Sequence, residues 1–287
     1  VHVEVSEVIE GVDLFALRTP TLPPATTTNS ALVGRRRFVV IEPATPHADE
    51  QATLDAAIAA RIDAGAEVVG VVITHHHGDH VGYAAALRDR LGAPLFAHPA
   101  TAARVPFAVD AALVDGDVIE LGDGVALAAI HTPGHAPGHL VLHERQSDVV
   151  YAGDLVAGVG TILVDPSDDG DMAAYLASLE KIAALAPRRL IPAHGPVITE
   201  PAAHLRRTWE HRMMREERLL HALSRGPLVD DALLAAVYHD TPAALWPLAR
   251  LALAAHLQKL LREGQVARDG DSLRLRKRGR TREQDLR

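Results

Sequence analysis

The stretch Thr74-His75-His76-His77-Gly78-Asp79-His80 constrains this chain more than any other. It follows Val68-Val69-Gly70-Val71-Val72-Ile73, a short apolar, β-branched run that reads as a buried strand. Residues two apart on an extended segment face the same way, so His75 and His77 present their imidazoles to one point while His76 looks elsewhere. Gly78 then lets the chain turn and delivers Asp79 and His80 at the start of a helix. Four nitrogen and oxygen donors so close together are enough to begin two metal sites. A solvated His-rich loop would need no further ligands. Three more candidates nevertheless stand at the ends of expected strands: His135 in His131-Thr132-Pro133-Gly134-His135, Asp154 in Tyr151-Ala152-Gly153-Asp154, and His194 in Pro192-Ala193-His194-Gly195.

The rest of the chain has a rhythm that can carry such a site. A hairpin around Gly11 and paired strands at 29–34 and 37–43 lead into a helix at 48–63, where Leu54, Ile58 and Ile62 share one face. After the histidine motif come a helix at 81–91 and a strand at 94–98. Further strands follow at 118–121, 125–130, 140–143 and 148–151, then a helix at 172–186 with Asp171 as its N-cap, and a strand at 189–194. Ligands supplied from strand ends in both halves point to an α+β fold, a four-layer αβ/βα sandwich with the site along one edge. Beyond Pro201 the composition shifts to long helices rich in Leu, Ala and Arg. The expected domains are therefore a catalytic domain at 1–200, a winged-helix-like unit of three helices and a two-stranded ribbon at 201–276, and a basic tail at 277–287.

Composition narrows the chemistry. The chain has no cysteine, so any metal is held by imidazole and carboxylate. No apolar run approaches the roughly 20 residues of a membrane span, and the N-terminus lacks a basic segment followed by an apolar signal core, so a cytoplasmic protein with no membrane partner is expected. The net charge of −8 argues against a surface that coats nucleic acid uniformly, while leaving room for a local basic patch.

The whole ligand set resembles the metallo-β-lactamase superfamily, whose H-x-H-x-D-H motif is matched by His75, His77, Asp79 and His80 and whose later His, Asp and His are matched by His135, Asp154 and His194. Asn29-Ser30-Ala31-Leu32-Val33-Gly34, the segment from His131 to His139, Ala193-His194-Gly195-Pro196-Val197-Ile198, and His211-Arg212 with Arg215-Glu216 are similar to the β-lactamase-like protein 2 group, which includes single-stranded-RNA endonucleases. Tyr83 stands where relatives usually have a second glycine after Gly82.

The resemblance implies a hydrolase with two divalent ions, Zn2+ ahead of Mn2+ or Fe. His75, His77 and His135 would hold one ion, Asp79, His80 and His194 the other, and Asp154 would bridge them. The ions would share an activated water, with Asp79 as the catalytic residue that orients it. An aspartate bridge without cysteine sets the chain apart from antibiotic-hydrolysing members and towards the thioesterase, lactonase and phosphodiesterase branches. Single-stranded RNA is the first substrate expected, with phosphates met by Arg212, Arg215 and Arg218 at three-residue spacing on one helix. His139, a leaving-group proton donor or supporting residue, and Tyr83 complete the candidate substrate residues. A glyoxalase II-type thioesterase, esterase or lactonase is the alternative, and a nucleic-acid or partner-binding module with a vestigial metal site is the non-enzyme one. The C-terminal unit could equally serve packing or a homodimer contact.

Overall fold

The computed structural model describes residues 4–276. The chain divides into two compact units, one comprising residues up to Ile162 with Ala173–Thr208, the other Leu163–Met172 and the chain from Trp209 onward.

In the first unit, β1 (Glu4–Ile9), β2 (Val12–Arg18), β3 (Thr27–Gly34) and β4 (Arg37–Ile41) form an antiparallel meander. Helix α1 (Ala48–Asp63) then crosses over to β5 (Glu67–Val72), which lies parallel to β4. The short α2 (Gly78–Val81), α3 (Ala84–Leu91), β6 (Leu95–Ala97), α4 (Pro99–Ala102) and β7 (Ala111–Ala112) complete a seven-stranded sheet ordered β1 to β7. A second sheet is built from β8 (Val118–Gly122), β9 (Val125–His131), β10 (Leu140–Glu144) and β11 (Val149–Gly153). After α5 (Met172–Ala183), β12 (Arg189–Pro192) joins it parallel to β11, giving the order β12-β11-β10-β9-β8.

Alternation on the central strands builds two cores at once. Val39 and Ile41 of β4, with Ala31 and Val33 of β3, point between the sheets and meet Leu127, Leu140, Leu142, Tyr151 and Ile191 of the second sheet. Their neighbours Phe38, Val40 and Leu32 point the other way, onto Leu54 and Ile58 of α1 and Leu87 of α3. Strands buried on both faces are what a sheet covered by helices on one side and a second sheet on the other requires. Burying so many large apolar side chains, at ~1.5–3 kcal/mol each, is what holds the sandwich together.

The helix expected at 81–91 begins only at Ala84 as α3, and the short α2 that precedes it ends at Val81. A side chain at Gly82 would collide with the Ala44 carbonyl, and the Tyr83 amide bonds to the Pro43 carbonyl at 2.9 Å, so the chain breaks between them. Nothing in the amino-acid pattern marks β7 or α4, whose His98 caps the Ala100 amide.

The second unit contains α6 (Pro201–Ser224) from Trp209 on, then β13 (Leu228–Val229), α7 (Asp230–Val237), α8 (Trp246–Arg262), and the ribbon β14 (Val266–Asp269) and β15 (Ser272–Leu275). Leu219, Leu233, Leu253, Leu260, Val266 and Leu273 share one core. Three helices with a ribbon match the winged-helix expectation, with β13 as an unforeseen third strand beside β15. The expected basic tail lies outside the described residues. Among the described residues no helix is long and apolar enough to cross a membrane.

Candidate metal centre

All seven expected donors lie just past strand ends, five in loops and Asp79 and His80 in the short α2. His75, His77, Asp79 and His80 follow β5, His135 lies between β9 and β10, Asp154 follows β11, and His194 follows β12. His75, His77 and His135 form one group and Asp79, His80 and His194 another, each with its donor atoms within 4.8 Å of one another. His76 stays outside both groups, its ring beside that of His77 at 4.7 Å between centroids.

In the first group, the Nε2 of His75 is 3.0 Å from the Nδ1 of His77 and 3.1 Å from the Nε2 of His135. Three imidazole nitrogens facing one another this closely suit a shared cation: tetrahedral ligation at roughly 2.0–2.1 Å sets nitrogens roughly 3.3 Å apart. In the second, the Nε2 of His80 lies 3.7 Å from Asp79 and that of His194 3.6 Å from it. Asp154 reaches both groups, one oxygen 3.3 Å from His135 and 3.6 Å from His80, the other 3.3 Å from His194. Buried His80 Nε2 has no hydrogen-bond partner among the described residues, and neither has Oδ1 of Asp154. Orphaned buried donors converging with carboxylates are what a divalent-metal site presents without its ion, so the residues fit.

Electrostatics divide the histidines. Burial, reinforced by the neighbouring His80, His135 and His77, pushes His75 well below the usual imidazole range and leaves it neutral, as a ligand must be. Burial opposes charge on His80 too, but Glu42 and Asp154 outweigh it and hold its pKa well up. For Asp154, burial works against ionisation, yet His80 and His194 prevail and keep it a carboxylate.

The group that organises these nitrogens, Glu42, was not recognised from the sequence. It directly follows β4 with a positive φ of 52° and is 2 % exposed. Its Oε2 accepts from Nδ1 of His80 at 3.0 Å, and its Oε1 accepts from the Thr74 hydroxyl. The Thr74 oxygen in turn accepts from Nδ1 of His75 at 3.0 Å. One carboxylate thus orients two imidazole rings and turns both Nε2 atoms inward, as partners behind metal-bound histidines do. On β3, the Thr27 carbonyl accepts from Nδ1 of His194 at 2.9 Å and the Thr28 hydroxyl donates to the Asp79 carbonyl at 2.8 Å. Asn29 donates to the carbonyls of Pro192 and Gly195, both at 2.8 Å.

The loop bearing His135 is clamped as tightly. A side chain at Gly134 would strike the Tyr175 backbone, Ser178 donates to the Pro133 carbonyl at 2.7 Å, and Thr101 donates to that of Gly138 at 3.0 Å.

The expected substrate residues are placed differently. His139 is fully buried behind the site, its Nε2 accepting from the Asp154 amide at 2.9 Å and its Nδ1 donating to Thr132 at 2.8 Å. With one ring nitrogen committed as acceptor to a backbone N–H, and with burial holding its pKa down at about 3, it is no proton donor to a leaving group. Tyr83 is buried as well, and its hydroxyl donates to Asp55 at 2.9 Å on α1. The arginine stripe needs correction too. Arg212 is 3 % and Arg215 7 % exposed. Arg215 donates to the Val237 carbonyl at 2.8 Å and to Asp240 at 2.6 Å, under the Tyr238 ring at 4.6 Å, and Arg218 donates to the other Asp240 oxygen at 2.7 Å. Arg215 and Arg218 thus engage the Val237 carbonyl at the end of α7 and Asp240 just beyond it, and Arg212 is buried.

Comparison with known proteins agrees with this geometry. Residues 23–194 match the model described as the metallo-beta-lactamase superfamily, and residues 231–278 that of the beta-lactamase associated winged helix domain. The chain is 29 % identical over 216 residues to a beta-lactamase-like protein 2 homolog of Drosophila melanogaster, covering 70 % of this chain and 71 % of the relative. It is 40 % identical over 141 residues to a hydroxyacylglutathione hydrolase of Acidiphilium cryptum, covering 47 % and 54 %. A solved metallo-beta-lactamase family protein of Thermus thermophilus shares its fold with a TM-score of 0.76 at 23 % identity, over 94 % of this chain and all of the other. With more than half its length in the matched model, and with histidines and aspartates gathered into groups that could hold a metal ion, the chain belongs to the metallo-beta-lactamase superfamily of hydrolases.

Proposed function

We propose that the protein is a binuclear hydrolase of acyl substrates, a thioesterase or esterase, with one ion held by His75, His77 and His135, the other by Asp79, His80 and His194, and Asp154 between them. The observation that carries the reading is that, among the candidate groups, His75, His77 and His135 form one and Asp79, His80 and His194 another, with the Asp154 carboxylate near both. Bound there, divalent ions would supply an acidified water near neutral pH and a Lewis acid for a substrate oxygen. The residues supply the rest. Asp154 stays ionised under the surrounding imidazoles, Glu42 keeps His80 and His75 turned inward, and half-buried Asp79 is the side chain we assign to orient an attacking water. Zinc is the ion we favour, because an imidazole-rich donor set suits it.

Two observations support acyl over RNA substrates. Hydroxyacylglutathione hydrolase and an atrochrysone carboxyl ACP thioesterase of Aspergillus chevalieri are among the relatives. The arginines best spaced for phosphates are engaged internally. RNA phosphodiester hydrolysis remains the second reading because the C-terminal unit matches a winged helix. Metal-loaded protein should release thiol from S-lactoylglutathione and leave labelled single-stranded RNA intact, and His80→Ala should abolish the release. Cleavage of RNA without thiol release would reverse the order of the two readings.

A further inference from the structure

The connection between β2 and β3, residues 19–26, is tied to the second group of donors at several points. At its base the Thr19 hydroxyl donates to that of Thr28 at 2.8 Å, and Thr28 in turn donates to the Asp79 carbonyl. Further along, a side chain at Gly160 would strike the Pro24 ring, and the segment bearing Gly160 is itself fixed to the last ligand, because the Gly158 amide donates to the His194 carbonyl at 2.7 Å. Between these ties, half-buried Thr21 sets its Oγ1 3.4 Å from Nε2 of His194. Nδ1 of that ring is committed to the Thr27 carbonyl, so Nε2 of the neutral ring is an acceptor and the hydroxyl donates to it, in a contact long for a hydrogen bond. The same Nε2 lies 3.3 Å from Asp154 and 3.6 Å from Asp79, which makes it the nitrogen a metal ion would take. An ion bound there removes the acceptor from Thr21 and frees its hydroxyl for another partner. Val159, 37 % exposed, lies against Gly195 directly after His194, so the surface beside this donor is partly apolar.

We propose that Thr21 is a substrate-binding residue beside the second group, its hydroxyl donating to the carbonyl oxygen of an acyl substrate; this rests on the acyl reading above. The two side chains flanking Nε2 of His194 differ in sense. The Asp79 carboxylate accepts and so suits water, whereas the Thr21 hydroxyl donates and so suits an oxygen that gains negative charge as the acyl carbon is attacked. Addition of water forms the new C–O bond and places that charge on the former carbonyl oxygen. Collapse of the adduct then breaks the C–S bond of a thioester, and the departing sulfur takes up the proton that water gave up. A hydroxyl held on a loop tied at its base and again at Pro24 is already in place when the charge develops, which is what makes a single donor effective.

Thr21→Val keeps the shape and removes the hydroxyl, and Thr21→Ser restores it. The probe is the ketone analogue of S-lactoylglutathione, with a methylene in place of the thioester sulfur, whose binding to zinc-loaded protein is measured by calorimetry. Thr21→Val should bind it about tenfold more weakly than native and lower kcat/KM for the thioester by about tenfold or more, with Thr21→Ser within about threefold of native in both. Zinc affinities from chelator competition should stay within about twofold of native in both variants, because Thr21 holds the substrate and not the ion. Unchanged analogue binding in Thr21→Val overturns the proposal, as does a loss of zinc affinity at the second ion, which would make Thr21 a support for His194. A native protein that takes up zinc but neither binds the analogue nor cleaves the thioester defeats the acyl reading and this role with it, whereas native binding matched by Thr21→Val defeats the role of Thr21 alone.

Discussion

At the scale of single residues, Glu42 decides how the second group is presented. A buried carboxylate is expensive unless charge and hydrogen bonds surround it. Here the Thr74 hydroxyl and His80 do so, and the strain of a left-handed backbone at a non-glycine residue is accepted to bring them together. Glu42→Gln keeps the size but removes the charge, and should weaken the second ion at least tenfold more than the first in chelator competition; an equal shift at both positions would contradict this. His139 makes a separate prediction, one about pH. Its folded pKa is depressed to about 3 against an ordinary 6.5, so the stability it contributes is full above pH 6.5 and is lost as pH falls from there towards 3. In the metal-free protein, the melting temperature of His139→Gln should therefore fall less steeply than that of the native chain over this interval. Parallel curves would mean that the ring is not held neutral. Gly153 tolerates no side chain, because a Cβ would sit 2.7 Å from Nε2 of His139 and 2.9 Å from the Thr74 hydroxyl at a φ of 49°.

At the scale of elements, strand alternation made the ligands legible in advance. His75 and His77, two apart in the extended stretch just past β5, bring ring nitrogens to one group, and His135, Asp154 and His194 were readable because each lies within four residues of a strand end with turn residues nearby. Glu42 escaped notice because a carboxylate at a strand end is commonplace and its partner His80 lies 38 positions away. The arginines misled for a related reason. Spacing of three places side chains on one helical face but says nothing of what they meet, and Arg215 and Arg218 meet the end of α7 and Asp240. Arg215→Ala should consequently act on stability, lowering it by roughly 1–3 kcal/mol for a lost charge-assisted hydrogen bond, with little effect on the KM for a thioester. A large KM change at unaltered melting temperature would restore the substrate role. Asp240 adds the matching pH dependence: Arg215 and Arg218 hold its carboxyl below the usual range, so the stability it gives is present above the ordinary value of 3.8 and fades as pH drops below it. The melting difference between Asp240→Asn and native protein should shrink correspondingly in acid.

At the scale of the whole molecule, sheets, helices and loops serve one edge of the first unit. The meander from β1 to β4 brings Thr27, Thr28 and Glu42 to that edge, the crossover through α1 brings the histidine motif, and β9 to β12 bring the remaining donors. The claim on which everything else depends is that these donors hold two ions. It is tested most directly by the metal content of protein reconstituted with zinc and freed of excess, measured by mass spectrometry on the native chain and on His80→Ala. Two ions per native chain and one per variant is the result expected; fewer than one in the native chain, or the same number in both, would contradict the binuclear site.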